Sequence, residues 1–266
     1  MTVDMDGWPF PKHRGLGWRS SSVMVKLCTS LVMKLLISVG QRVQTRNVKQ
    51  LVKVVAGRPK GTPLVTVSNH ASCIDDPAIW SVLPLKLCTT KRMSRWVPAA
   101  KELVFPNKLL SSFFSRSQLV PVVRGDGVYQ QGVNFCLQLL NEGNWIHVFP
   151  EGKVNMNGNT MRLKWGVGRM VAESAKIPLV LPLWHVGMDD ILPNSAPYIP
   201  RFFKKLTVYV GDPIDVSSII KAHYQRCHTD FHANAVELRK QITDIIQQKM
   251  YELKAHAETL HTLKKV

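Results

Sequence analysis

Twice in this 266-residue chain a histidine stands five residues ahead of an aspartate just after an apolar run. One case is Val67-Ser68-Asn69-His70-Ala71-Ser72-Cys73-Ile74-Asp75-Asp76-Pro77, pairing His70 with Asp75; the other pairs His185 with Asp190. A carboxylate that accepts one imidazole N–H fixes the tautomer and raises the basicity of the ring. The other nitrogen is then free to take a proton from a hydroxyl. On a continuous helix residues five apart diverge by about 140°, so the two side chains meet only where the chain turns. A loop entering a helix at Asp76-Pro77 supplies that turn, with Asp76 as N-cap and Pro77 at the first helical position. Nine His and eleven Asp in the chain make roughly 0.4 such pairs by chance. One of the two is therefore expected to be a structural polar cap at a strand end, and spacing does not say which.

The surroundings favour His70. Val120-Pro121-Val122-Val123-Arg124 places an arginine at the end of an apolar run, and Trp145-Ile146-His147-Val148-Phe149-Pro150 leads straight into Glu151-Gly152-Lys153. Side chains beyond the carboxyl ends of parallel strands converge on one crevice. There the fork of Arg124, the Lys153 ammonium and the N–H of Gly152 suit a phosphate. Taken singly, Arg124 reads as a surface cation, and Glu151 as an orienting carboxylate rather than an acid catalyst. The usual signatures of other chemistries are missing: no G-x-S-x-G elbow, Walker A loop, H-E-x-x-H pair or dinucleotide fingerprint occurs. The five cysteines (Cys28, Cys73, Cys88, Cys136, Cys227) are scattered without a C-x-x-C pair, which indicates neither a disulfide framework nor a zinc knuckle.

These residues need a scaffold. Residues 63–68, 118–123, 144–149, 179–184 and 206–211 read as short, near-continuously apolar strands, with helices over 129–140 and 165–175. Such alternation predicts an α/β fold with a mainly parallel central sheet flanked by helices. Residues 233–263 lack Pro and Gly and predict a long C-terminal helix.

Residues 22–39 are apolar except at six positions, five of which (22, 26, 30, 34 and 38) recur every four residues as a polar stripe. Spanning a bilayer would place Lys26 and Lys34 in hydrocarbon at roughly 2.5–3.5 kcal/mol each. A helix lying in the interface avoids this, with Lys26 and Lys34 at the headgroups and Leu31 and Leu35 among acyl chains. A helix covering the protein's own core is the alternative. Residues 1–21 hold Asp4 and Asp6 among three basic residues and do not read as a cleavable leader. The net charge of +17 calls for a negatively charged partner, an anionic membrane face or nucleic acid. The basic residues are dispersed and form no base-stacking motif with the aromatics, which argues against nucleic acid. Leu109-Leu110 with Phe113-Phe114 form a second apolar group that reads equally as a membrane wedge or as core.

Four blocks in order carry a family resemblance: Asn69-His70 through Asp75, the Arg124 strand, Phe149-Pro150-Glu151-Gly152, and Ile177-Pro178-Leu179-Val180-Leu181-Pro182. The chain resembles the glycerolipid acyltransferase family. It more closely resembles the branch of mitochondrial phospholipid–lysophospholipid transacylases that remodel cardiolipin. That likeness rests on Trp8-Pro9-Phe10-Pro11, on residues 72–77, on Phe149 to Asn155, and on residues 183–195. Many family members have Glu-Gly-Thr-Arg where this chain has Glu151-Gly152-Lys153-Val154, a departure that fits the transacylase branch. The resemblance implies His70 and Asp75 as the catalytic pair, Arg124 as the phosphate-binding arginine and Glu151-Gly152 as the substrate-binding turn. It also implies an acyltransferase domain over residues 46–266 behind a membrane-anchoring segment over 1–45. The implied partners are phospholipid and lysophospholipid substrates and an anionic, cardiolipin-containing membrane, together with further copies or mitochondrial membrane complexes. No cofactor is implied. The implied location is the inner and outer mitochondrial membranes, on the surfaces facing the intermembrane space. A CoA-dependent lysophospholipid acyltransferase and a non-catalytic anionic-lipid-binding protein are the rival readings.

Overall fold

The computed structural model describes residues 8–90, 93–226 and 231–263, so Cys227 lies outside the described residues. Its strands are β1 (Arg42–Arg46), β2 (Leu64–Ser68), β3 (Arg95–Ala100), β4 (Leu119–Val122), β5 (Trp145–Val148), β6 (Leu179–Val186) and β7 (Lys205–Val210). They form one sheet in the order β1-β7-β6-β2-β5-β3-β4. The run β6-β2-β5-β3-β4 is parallel throughout, while β7 joins β6 antiparallel and carries β1 parallel to itself. Every residue of β2 and of β5 is buried, as expected for parallel strands covered on both faces.

The helices are α1 (Leu16–Ser38), α2 (Val48–Gly57), α3 (Asp75–Ile79), α4 (Leu85–Thr89), α5 (Lys101–Val104), α6 (Lys108–Arg116), α7 (Gln131–Asn141), α8 (Gly166–Ala172), α9 (Met188–Ile191), α10 (Ser217–Arg226) and α11 (Phe231–Thr262). One face of the sheet is covered by α7, α8 and α11 through Val133, Leu140, Val167, Met170, Ile242 and Ile246. The other is covered by α2, α3 and α9 through Leu51, Val55, Ile79, Met188 and Ile191. The result is the mainly parallel sheet flanked by helices that the sequence predicts, with the long C-terminal helix as α11.

Two strands escape the sequence reading. β1 (RVQTR) stands at one edge of the sheet and is polar because it has a solvent side. β3 contains Pro98, which a pattern search demotes. The proline falls where β3 has already left β5, whose pairing covers only Arg95 and Trp96, and runs beside β4 alone.

The expected N-cap at Asp76 does not form. Helix α3 starts at Asp75, after Ile74, and the Asp76 carboxylate takes the Arg95 guanidinium at both oxygens together with Trp80 Nε1. A bidentate charged donor outcompetes a single backbone N–H for a carboxylate.

Helix α1 inverts the expected orientation. Its polar stripe faces the protein: Ser22 Oγ donates to Arg116 O, buried Lys26 Nζ to Gln118 Oε1 at 2.9 Å, and Lys34 Nζ to Ser81 O and Leu83 O. The lysines therefore do not meet headgroups. The last residue of α6, the residue before β4 and the segment between α3 and α4 offer oxygens on that side, and an ammonium requires them once solvent is excluded. The opposite face exposes Val23, Met24, Leu27, Leu31, Val32, Leu35 and Val39. α6 packs beside α1 and adds exposed Leu109, Leu110 and Phe113 to the apolar surface. At the other end of α1, Phe203 N–H donates to Gly40 O, and exposed Phe202 and Phe203 extend it.

Candidate functional site

Strand β2 ends at Ser68, and His70 lies two residues beyond it, at the carboxyl edge of the parallel strands. The chain then turns sharply, with Asp75 N–H donating to Ser72 O. The turn brings Asp75 back so that His70 Nδ1 lies 2.9 Å from Oδ2. Asp75 is fully buried, while the His70 ring is 20% exposed. The same oxygen accepts Ala71 N–H at 2.6 Å and Ser72 N–H at 2.9 Å. An oxygen gathering N–H donors is an acceptor, so the shared proton sits on His70 Nδ1. Nε2, which has no partner among the described residues, then carries the lone pair. The ring also stacks on Phe149, centroids 4.3 Å apart, which limits its rotation. Such an arrangement can present an imidazole as a base, with Nε2 left open.

The loop after β5 straps this turn from the other side. Glu151 is buried, and its Oε1 accepts His70 N–H at 3.3 Å. Asn155 N–H donates to His70 O at 2.7 Å. Burial pushes the Glu151 carboxyl above the ordinary carboxylate range, against the opposing pull of the His70 N–H and the Asn155 side chain. Its other oxygen has no partner among the described residues. Gly152 turns the loop at φ +74°, a conformation that favours glycine, and a side chain there would press on Lys164. Lys153 beside it is exposed.

Arg124 is also exposed, 3.4 Å from Glu102 Oε1. The structure does not bring it to the pair: β4 stands three strands from β2, about 14 Å at ordinary strand spacing. No carboxylate, histidine or cysteine cluster among the described residues is arranged to hold a metal.

The site also contains groups that motif reading passes over. His185 does not pair with Asp190, which is exposed. Its buried ring points at the first pair, with Nε2 3.0 Å from Asn69 O and 3.5 Å from Asp75 Oδ2. The Asn69 side chain bridges to both backbone groups of His185, accepting its N–H at 2.9 Å and donating to its carbonyl at 3.0 Å. Asn194 Nδ2 donates to Ala71 O, and Ser72 Oγ to Leu192 O. Beneath the turn, His147 lies between Thr66 Oγ1 at 2.9 Å and Ser68 Oγ at 3.3 Å. Burial pushes its value down to about 3, so it is a neutral packing element. One signal for these groups was present: Thr66, Ser68, His147 and His185 are polar residues inside apolar strands, where each requires a partner.

Comparison with known proteins supplies a context for this geometry. The acyltransferase family profile matches residues 42–186. The chain is 44% identical to tafazzin from Drosophila melanogaster, over 96% of its own length and 66% of that protein's. It is 37% identical to N-acylphosphatidylethanolamine synthase from Arabidopsis thaliana, over 72% of its own length and 69% of the relative's. It is 27% identical to tafazzin from Saccharomyces cerevisiae, over 97% and 82%. The chain thus spans just under two thirds of the Drosophila protein. Among solved structures, the 1-acyl-sn-glycerophosphate (LPA) acyltransferase PlsC from Thermotoga maritima shares the fold, with a TM-score of 0.56 at 17% identity over 92% of this chain and 85% of that one.

Proposed function

This chain belongs to the acyltransferase family, and from that premise we propose that it transfers a fatty acyl group directly from a phospholipid to a lysophospholipid, without coenzyme A. The observation that carries the reading is the 2.9 Å contact between His70 Nδ1 and buried Asp75, with Nε2 left open. His70 Nε2 takes the proton of the acceptor hydroxyl as the oxygen attacks the donor's ester carbonyl. When the intermediate collapses, the imidazolium returns that proton to the departing lysolipid oxygen. One ester bond forms and one breaks, so the step needs no outside reactant. Asp75 stabilises the transient imidazolium, and Glu151 holds the backbone of His70. Arg124 and Lys153, exposed beyond the ends of β4 and β5 with β3 between them, would take the phosphate of a lipid lying across several strands.

Both substrates reside in bilayers, and the exposed apolar face of α1 and α6 is the proposed contact. α1 packs against α3, the helix that begins with Asp75, so one element links that surface to the base. Because Lys26 and Lys34 turn inward to oxygens of the protein, the helix enters the acyl region without carrying those charges into hydrocarbon. The finer reading is remodelling of cardiolipin from monolysocardiolipin on mitochondrial membranes facing the intermembrane space, supported by the relatives named tafazzin.

The test is a lipid-only transfer assay with the full chain. Labelled phospholipid and a lysolipid acceptor are combined without acyl-CoA, for the wild type and His70→Ala. Transfer that needs His70 supports the reading. Transfer only with acyl-CoA moves the protein to the CoA-dependent class. The Arabidopsis relative is named for N-acylphosphatidylethanolamine, so an N-acylated product in the same assay would move the acceptor from hydroxyl to amine.

A further inference from the structure

Lys26 is a cation that the catalytic site does not use. It is 5% exposed, and among the described residues Gln118 Oε1 is its one hydrogen-bond partner. That oxygen is already taken by Ser94 Oγ–H. Burial, reinforced by the nearby Arg95, brings the ammonium down to about 8. An ammonium has three donors, and an uncompensated buried cation is costly.

Lys26 opens onto a cleft of about 120 Å³ lined also by Arg14, Arg19, Trp18, Trp96 and Val23. Three cations face a single carboxylate there, Glu142, whose Oε2 is 3.9 Å from Arg14. Arg14 lies over the Trp96 ring at 5.2 Å, which restrains its guanidinium beside the cleft. The cleft sits at the amino edge of the sheet, where Gln118 and Asn144 immediately precede β4 and β5. His70 is at the opposite edge, roughly 15 Å away along a strand of this length.

The neighbouring surface identifies the occupant. Val23 belongs both to the cleft and to the exposed face of α1, and Leu27, Leu31 and Leu35 continue from it at four-residue steps, all exposed. This track runs about 18 Å along the helix, comparable to the ~15 Å depth of one hydrocarbon leaflet. A cationic cleft opening onto an apolar track matches an amphiphile with a charged head. We propose that this cleft binds the phosphate of an anionic phospholipid whose chain lies along Val23, Leu27, Leu31 and Leu35, as a lipid site separate from the His70–Asp75 crevice. The proposal rests on the reading that α1 lies in a bilayer.

The probe is a phosphatidylglycerol carrying a photoreactive group near its headgroup, presented in vesicles to the full chain, with labelled peptides mapped. Label is expected on the segment spanning residues 14–35. It should fall about tenfold, as for loss of one charge-assisted contact, in Lys26→Met and in the double variant Arg14→Gln/Arg19→Gln. The double variant leaves buried Lys26 in place and covers the case in which Lys26→Met misfolds. The label should also fall in phosphatidylcholine vesicles and withstand millimolar inorganic phosphate. Equal labelling in wild type and both variants would leave only general bilayer contact and overturn the site. Displacement by inorganic phosphate would make it a free-anion site and overturn the lipid assignment. A chain that fails to bind vesicles overturns both the site and the membrane reading, whereas loss of label with bound vesicles is specific to the cleft. Acyl transfer by the Arg14→Gln/Arg19→Gln variant reports on the His70 reading independently.

Discussion

The turn after β2 and the corner after β6 begin from the same spacing on neighbouring strands, yet only one of them makes a histidine–aspartate pair. His70 lies two residues past the end of its strand, so its backbone is free to reverse and return Asp75 to it. His185 is still inside β6, in register with Val208 of β7. The ladder holds it, and its side-chain direction is fixed by the pleat. Gly187 then adopts φ +93°, in close contact with Lys205 O, and sends Asp190 outward on α9. A fixed number of intervening residues sets only the path length between two side chains. Where the strand stops decides whether they meet.

The largest test of this contrast is His70→Ala, which should lower acyl transfer by about 10³–10⁴-fold, with Asp75→Asn costing about 10²–10³-fold because the tautomer is no longer fixed. Initial rates in the lipid-only assay measure both. Wild-type rates in either variant would end the assignment. Next comes His185, which acts through Asp75 and Asn69. His185→Phe should reduce the rate about tenfold by loosening the pair. His185→Gln, which can restore a donor near the position of Nε2, should recover most of it. Equal losses in both variants would make the histidine a packing residue only.

His147 sharpens the comparison through stability. The unfolded chain takes up this proton near the ordinary histidine value, whereas the native ring, pushed down to about 3 by burial, stays neutral. Its contribution is therefore complete above about pH 6.5 and is lost as the pH falls from there toward 3, by up to about 1.4 kcal/mol per pH unit. Urea midpoints at neutral pH and pH 5 should lie closer together in His147→Gln than in the wild type. An unchanged gap would remove this role. The smallest effect is expected for Asp190→Asn, within about twofold of wild type, as for an exposed residue outside any special contact. A loss as large as that of Asp75→Asn would reverse the comparison altogether.

Much of this arrangement was legible in the residues because apolar periodicity reports burial directly. The five strands read from continuous apolar runs all form, and the long α11 follows from an uninterrupted stretch of helix formers. β1 and β3 were not legible: an edge strand needs no second apolar face, and Pro98 is harmless only where its missing donor has no partner strand. The polar residues buried around the site were visible as exceptions in apolar runs, but their partners, Asn69 with His185 and Thr66 with His147, lie 116 and 81 residues apart.

Residue order alone was enough for the alternation of strands and helices, for the residues that share each face, and for the His70–Asp75 pair as a candidate. It also determined that residues 22–38 form a helix with a polar stripe. Packing in three dimensions was needed to set which way that stripe faces, that His185 turns to the first pair rather than to Asp190, and that Arg124 stands three strands from His70. Periodicity records which side chains lie together on an element. The surroundings each face meets are set by strand order, register and helix packing, which depend on contacts distant in the chain.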